Sequence, residues 1–155
     1  MGIIFIHGLL SSGQGFKGNL LRERLPGILT PDFNGPLEER MAGLAAILAG
    51  RTGWTLIGSS FGGLMAALFT CQHPQQVNRL ILLAPALIWP DFAQVLPPPV
   101  SVPTVIYHGS RDTVIPLELV RPLAEQVFHN LTFHAVDDDH GLEKTVQGID
   151  WPAIV

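Results

Sequence analysis

Short, nearly unbroken apolar runs alternate along the chain with longer stretches in which apolar residues recur every three or four positions. The runs GIIFIH (2–7), GIL (27–29), WTLIG (54–58), RLILLA (79–84), TVIYHG (104–109) and LTFHAV (131–136) have strand length, and several lack the alternation of a sheet with one wet face. They predict strands covered on both sides. Between them, PLEERMAGLAAILAG sets Leu37, Met41, Leu44 and Leu48 on one helical stripe, with Pro36 suited to the first helical position. FGGLMAALFTCQH predicts a helix stopped before Pro74, and LELVRPLAEQVFH one whose regular part is expected to begin only near Pro122. The resulting β-α-β-α series predicts an α/β fold: a three-layer αβα sandwich on a mostly parallel sheet of about six strands, joined by right-handed crossovers.

In such sheets ligands sit beyond the carboxyl ends of the strands, so the residues following each run are the ones to inspect. They read HGLLSSGQG, SSFGG, APALIW, GSRDT and DDDHG. A hydroxyl, a carboxylate and an imidazole, distant in sequence, are thereby expected at one edge of the sheet.

Composition narrows the field. With 155 residues, 47% of them hydrophobic, the chain suits one domain spanning 1–155 with a sizeable core. A net charge of -4 and scattered basic residues provide no footprint for nucleic acid. The single cysteine, Cys71, cannot form an internal disulfide and lies in a helical apolar pattern, which suggests a small hydrophobe in a cytoplasmic protein. The start MGIIFIHG has no basic leader region, its apolar stretch is far shorter than the ~20 residues of a membrane helix, and Ile6 stands where a myristoylation signal asks for Ser or Thr. No membrane association is expected.

Gly58-Ser59-Ser60-Phe61-Gly62 matches G-x-S-x-G, a sharp strand-to-helix turn that exposes its central serine. Such a turn brings backbone so close that a Cβ at Gly58 or Gly62 would collide with the neighbouring strand or helix. The helix start aims free N–H groups at the space beside Ser60, the Phe61 N–H first among them. Taken alone, the serine is equally readable as a helix cap.

With HGLLSSG after the first strand, GSSFGG at the turn, HGSRDTVIP and DDDHGL, in the chain order serine, acid, histidine, the sequence resembles the α/β-hydrolases over nearly its whole length. The resemblance implies Ser60 as nucleophile, Asp112 as triad acid, His140 as general base, and the Leu9 N–H as a second oxyanion donor beside that of Phe61. It implies no cofactor. It also implies a minimal core, since the chain opens almost directly on the strand leading to His7-Gly8, and ALIWPDFAQVLPPPVSV leaves no room for a cap domain.

The chemistry is coherent with those roles, because a serine hydroxyl needs a base within reach and the imidazole needs a carboxylate to hold its tautomer. The function expected is cleavage of a small acyl ester or thioester, of short or medium acyl length, through an acyl-enzyme. A C–C hydrolase, lyase or peptidase on the same fold, and a non-catalytic binding module, stay open as alternatives. His7 and His108 end strands before glycines, where an imidazole satisfies backbone groups, and His134 lies within a strand. No pair among the six histidines has strong metal-ligand spacing, so no metal is expected. Asp137, Asp138 and Asp139 read as a solvated turn, one member of which orients His140.

Substrate contacts are the least specified. Trp89 and Phe92, with Leu9, Leu10 and Phe61, suit a shallow apolar acyl pocket, while the two aromatics suit a core plug equally well. Ser11 and Ser12 suit either substrate contact or a cap on the first helix. Ser59 suits packing. The Pro97-Pro98-Pro99 run predicts an extended, semi-rigid segment folded back over the sheet edge.

Overall fold

A computed structural model describes residues 2–155. Five strands, β1 (Ile3–Ile6), β2 (Trp54–Ser59), β3 (Val77–Leu83), β4 (Thr104–Gly109) and β5 (Leu131–Val136), form one parallel sheet in the order β1-β2-β3-β4-β5. The helices are α1 (Phe16–Arg24), α2 (Leu37–Leu48), α3 (Phe61–Gln72), the single turn α4 (Pro90–Ala93), α5 (Leu117–Val127), α6 (Glu143–Gly148) and α7 (Trp151–Ile154).

The unbroken apolar runs are explained by two cores. Ile4, Ile6, Leu56, Leu80, Leu82 and Ile106 point to one face, under α2, α3 and α5. Phe5, Ile57, Ile81 and Leu83 point to the other, under Leu21 of α1, Val146 of α6 and Trp151 of α7. Successive side chains leave a strand on opposite faces, so a strand sandwiched between helices must be apolar at every position. The Trp151 indole N–H donates to the Val146 carbonyl at 2.9 Å, locking the C-terminal segment onto this second core.

Three expectations need correction. The run at 27–29 is no sixth strand: it makes one parallel bridge, Leu29 to Ile4, with Phe5 N–H donating to Leu29 O and Leu29 N–H to Ile3 O. Pro26 and Pro31 bracket it and lack the N–H groups a longer ladder requires. Helix α5 starts at Leu117 and runs through Pro122, because its buried stripe of Val120, Ala124 and Val127 offsets the lost hydrogen bond. Phe92 is no pocket residue: the turn α4 drives it fully into the first core, stacked on Phe128 at 6.3 Å, while Pro97-Pro98-Pro99 lie outside any helix or strand.

The bridge at Leu29 lies on the opposite side of β1 from β2. The chain therefore leaves β1 outward beneath α1, then returns over the other face through α2 to reach β2. Strand order reverses at β1, and the crevice beyond the carboxyl ends of β1 and β2 is the topological switch point at which open α/β sheets bind ligands.

Candidate active site

Ser60 follows β2 directly, at φ 55° and ψ -114°, a region seldom occupied by a residue with a side chain. Three hydrogen bonds hold it there. Its N–H donates to Leu83 O at 2.9 Å, and its carbonyl accepts from Leu64 N–H at 3.1 Å and Ala86 N–H at 2.9 Å. A Cβ on Gly62 would press into the carbonyl oxygens of Ile6 and His7, and one on Gly58 into Gly62 O. The glycines let the turn sit against β1, as the G-x-S-x-G pattern requires. The Ser60 hydroxyl makes no cap bond to α3; its Oγ lies 3.0 Å from His140 Nε2.

His140 Nδ1 lies 2.8 Å from Asp112 Oδ2. A carboxylate only accepts, so Nδ1 carries the proton and the Nε2 lone pair faces the Ser60 hydroxyl. The other carboxylate oxygen, Oδ1, accepts from the Val114 and Ile115 N–H groups at 2.9 and 2.7 Å, which fixes the side chain in a site closed to solvent. The aspartate run is not uniformly solvated. Asp137 is exposed and pairs with Arg111 at 2.9 Å, whereas Asp138 is buried and accepts from the Asp139 and Thr145 N–H groups and the Thr145 hydroxyl. Burial opposes ionisation of Asp138, but these donors overcome it and hold the carboxyl below its usual range. Asp139 Oδ1 accepts from Gly141 N–H at 3.0 Å, closing a turn around His140.

His108 satisfies a backbone group, as expected of it, and its closeness to Asp112 is what sequence reasoning missed. It is fully buried, and its Nε2–H donates to Ile115 O at 2.7 Å while lying 3.3 Å from Asp112 Oδ2. Its Nδ1 is buried without a partner, so a second proton would have nowhere to bond. Burial therefore lowers its pKa, against the raising influence of the Ile115 carbonyl, Asp112 and Glu118. The i, i+4 spacing of His108 and Asp112 was the available signal, but on a strand-and-turn it carries no fixed geometry. Because the folded pKa lies below the unfolded ~6.5, the unfolded chain binds a proton that the folded chain refuses, and stability is lost as pH falls below that value. Thermal denaturation between pH 7.5 and 5 is expected to show this loss, at most about 1.4 kcal/mol per pH unit, and His108→Gln a smaller one. An equal slope in the variant would remove His108 as the cause.

The loop after β1 is held from within. Phe33 N–H donates to His7 Nε2 at 2.8 Å, which puts the His7 proton on Nδ1, donating to Gly8 O at 2.7 Å. The Gly8 carbonyl and the Leu9 N–H share one planar trans peptide and point oppositely, so His7 orients the Leu9 N–H. The Phe61 N–H belongs to the first turn of α3, where helix geometry supplies no intrahelical acceptor.

A cavity of about 600 Å³ opens onto Ser60 and His140. Leu9, Leu10, Ser11, Ser59, Phe61 and Trp89 line it; Phe92 does not, being core. Ser12 accepts from Gln14 N–H at 3.1 Å, before α1, whose start at Gly15 has no side-chain cap. Of nine large apolar side chains exposed among the described residues, six (Leu9, Leu10, Phe16, Ile88, Trp89 and Val114) line this cavity, and Leu10 is 100% exposed. An apolar rim this concentrated marks an interaction site, whereas scattered apolar residues would not. Lys17 is the one cation lining it among the described residues; burial lowers its pKa, opposed chiefly by Glu143.

Comparison with known proteins agrees with this architecture. A family model described as the alpha/beta hydrolase fold matches residues 48–101, the stretch containing β2, the Ser60 turn, α3 and β3. Est1E from Butyrivibrio proteoclasticus, solved with ferulic acid bound, superposes with a TM-score of 0.78 at 18% identity, over 97% of this chain and 87% of that one. The chain has the α/β-hydrolase fold. Alpha/beta hydrolase domain-containing protein 10 from mouse matches this chain with a TM-score of 0.76 at 18% identity, over 94% and 84% of the two chains. A protein from Xanthomonas campestris pv. campestris, described as a candidate hydrolase of the alpha/beta superfamily, matches at 28% identity and a TM-score of 0.74, over 95% and 92%. No curated protein matches the sequence. The α/β-hydrolase core is present without a cap domain, as only the segment with α4 separates β3 from β4. No helix among the described residues is long and apolar enough to cross a membrane.

Proposed function

We propose that the chain is a serine hydrolase cleaving esters or thioesters of apolar acyl groups through an acyl-enzyme. The observation that carries this reading is the hydrogen-bonded relay from Ser60 Oγ through His140 to Asp112, at 3.0 and 2.8 Å, opening into an apolar cavity. Ser60 Oγ attacks the acyl carbonyl carbon as its proton passes to His140 Nε2, and the carbonyl oxygen takes the negative charge towards the Leu9 and Phe61 N–H groups. The tetrahedral adduct collapses when His140 returns the proton to the departing alkoxide or thiolate. Water then attacks the acyl-Ser60 carbonyl, giving its proton to His140, and the acid leaves as Ser60 is reprotonated. Asp112 stays ionised throughout and stabilises the imidazolium. Three hydrogen-bond donors to its carboxylate support that role.

The apolar rim extends the expected acyl groups beyond short ones. Half-burial of each methylene on such a surface contributes roughly 0.4 kcal/mol, half of the full transfer value. Six extra methylenes then raise kcat/KM by roughly 30- to 60-fold. The p-nitrophenyl acetate, butyrate and octanoate series below micellar concentrations, with the matching thioester, an amide and a β-diketone, tests both bond type and chain length. Trp89 rests edge-on against Phe61 at 5.1 Å, so Trp89→Ala is expected to cut the octanoate-to-acetate ratio about 5- to 10-fold. No ester or thioester turnover would overturn the proposed function, and a ratio untouched by Trp89→Ala would leave Trp89 as packing only.

A further inference from the structure

Arg40, in the first turns of α2, is only 5% exposed, yet no carboxylate pairs with it among the described residues. A buried guanidinium without a counter-ion is costly and is retained only where its surroundings compensate it. Nε donates to Gly35 O at 2.8 Å and Nη2 to Leu9 O at 3.4 Å, while Nη1 is buried with no partner. The guanidinium carbon sits 5.4 Å from the centre of the Phe61 ring. Glu38 and Glu39, its neighbours on α2, are exposed. One cation thus touches both Leu9 and Phe61, the two residues whose N–H groups face the developing oxyanion in the reaction above.

We propose that Arg40 is the positioning residue of the oxyanion site. His7 holds the peptide before Leu9 through Gly8 O, and Arg40 holds the peptide after it through Leu9 O. Clamping both planes leaves Leu9 little freedom to turn its N–H away. The cation–π contact fixes Phe61 from the same side. Because no carboxylate neutralises it, the Arg40 charge also favours an anion developing in front of those two residues, where the medium is less screening than water. The ground-state carbonyl, being neutral, gains far less. Arg40 is not among the residues lining the cavity and so acts through Leu9 and Phe61 and touches no substrate.

This inference rests on the acyl-transfer reading. The test measures kcat and KM for p-nitrophenyl butyrate, the inhibition constant of butylboronic acid, and thermal stability for the intact protein, Arg40→Met and Arg40→Lys. Butylboronic acid accepts the Ser60 Oγ lone pair at boron, giving a tetrahedral anion that mimics the oxyanion. Arg40→Met is expected to lower kcat about 10- to 100-fold, less than the ~10²–10³ for outright loss of a donor, with KM within about twofold and boronic acid affinity falling in step with kcat. Arg40→Lys keeps the cation but cannot span Gly35 O and Leu9 O, so an intermediate loss of about 3- to 10-fold is expected. A purely structural role would lower stability without splitting kcat from KM. Folded Arg40→Met with kcat and boronic acid affinity within twofold of the intact protein overturns the proposal, and if that variant does not fold, parity of Arg40→Lys does so. An intact protein that turns over no ester and is not inhibited by boronic acid sinks the acyl-transfer reading and this inference together; impaired Arg40 variants of an active protein support both.

Discussion

Ser60→Ala is expected to lower kcat for p-nitrophenyl butyrate by about 10⁴- to 10⁶-fold, the range for removing a nucleophile that works with a base and an acid as one unit. The fold should be unaffected. Alanine keeps the Cβ already accommodated at φ 55°, and the backbone bonds to Leu83, Leu64 and Ala86 involve no side-chain atom. What disappears is the Oγ that lies 3.0 Å from His140 Nε2. Since the apolar walls and the amide donors remain, butyrate binding should change little, and the loss should fall on kcat. Rates measured with circular dichroism of both proteins check this. A folded variant retaining a tenth of the activity would show that another group carries the reaction.

Much of this site was legible because its spacing is dictated by chain geometry. A serine between two glycines after an apolar run admits few backbone paths, and the collision predicted for a Cβ at Gly62 is met by the Ile6 and His7 carbonyls. The strands were legible because two cores bury the apolar runs of β1 to β4 from both faces, while β5 at the sheet edge is only partly buried. The edge run at 27–29 was over-read for the same reason, since apolarity does not reveal that Pro26 and Pro31 cut its ladder to a single bridge. Phe92 and Trp89, three residues apart, look alike as letters. One turn of helix sends Phe92 into the core and leaves Trp89 at the mouth, a difference set by the direction of α4. The contacts of Arg40 with Leu9 and of His108 with Asp112 were invisible for another reason: they join residues 31 and 4 positions apart that meet only after folding, the first through a backbone carbonyl, which carries no sequence signature.

Asp112→Asn should prove nearly as damaging to catalysis as loss of the serine, and the reason follows from which oxygen each neighbour uses. Val114 N–H and Ile115 N–H both donate to Oδ1, so the asparagine must present its carbonyl there. Its NH₂ then occupies the place of Oδ2 and faces His140 Nδ1 at about the present 2.8 Å. A donor facing Nδ1 makes that nitrogen the acceptor and moves the imidazole proton to Nε2, which now points an N–H at Ser60 Oγ. The base is lost although every heavy atom remains in place. His108 Nε2–H, 3.3 Å from the same position, also meets a donor where it met a carboxylate, adding a cost in stability. A loss of about 10⁴ in kcat at pH 7, comparable with that of the same change in a serine protease triad, is expected together with a lowered melting temperature. Activity should rise towards alkaline pH more steeply than in the intact protein, as the imidazole no longer has a carboxylate to stabilise its cation and catalysis passes to hydroxide. If Asp112→Asn melts lower but keeps its rate, the carboxylate serves the 109–115 turn alone and the tautomer argument is wrong.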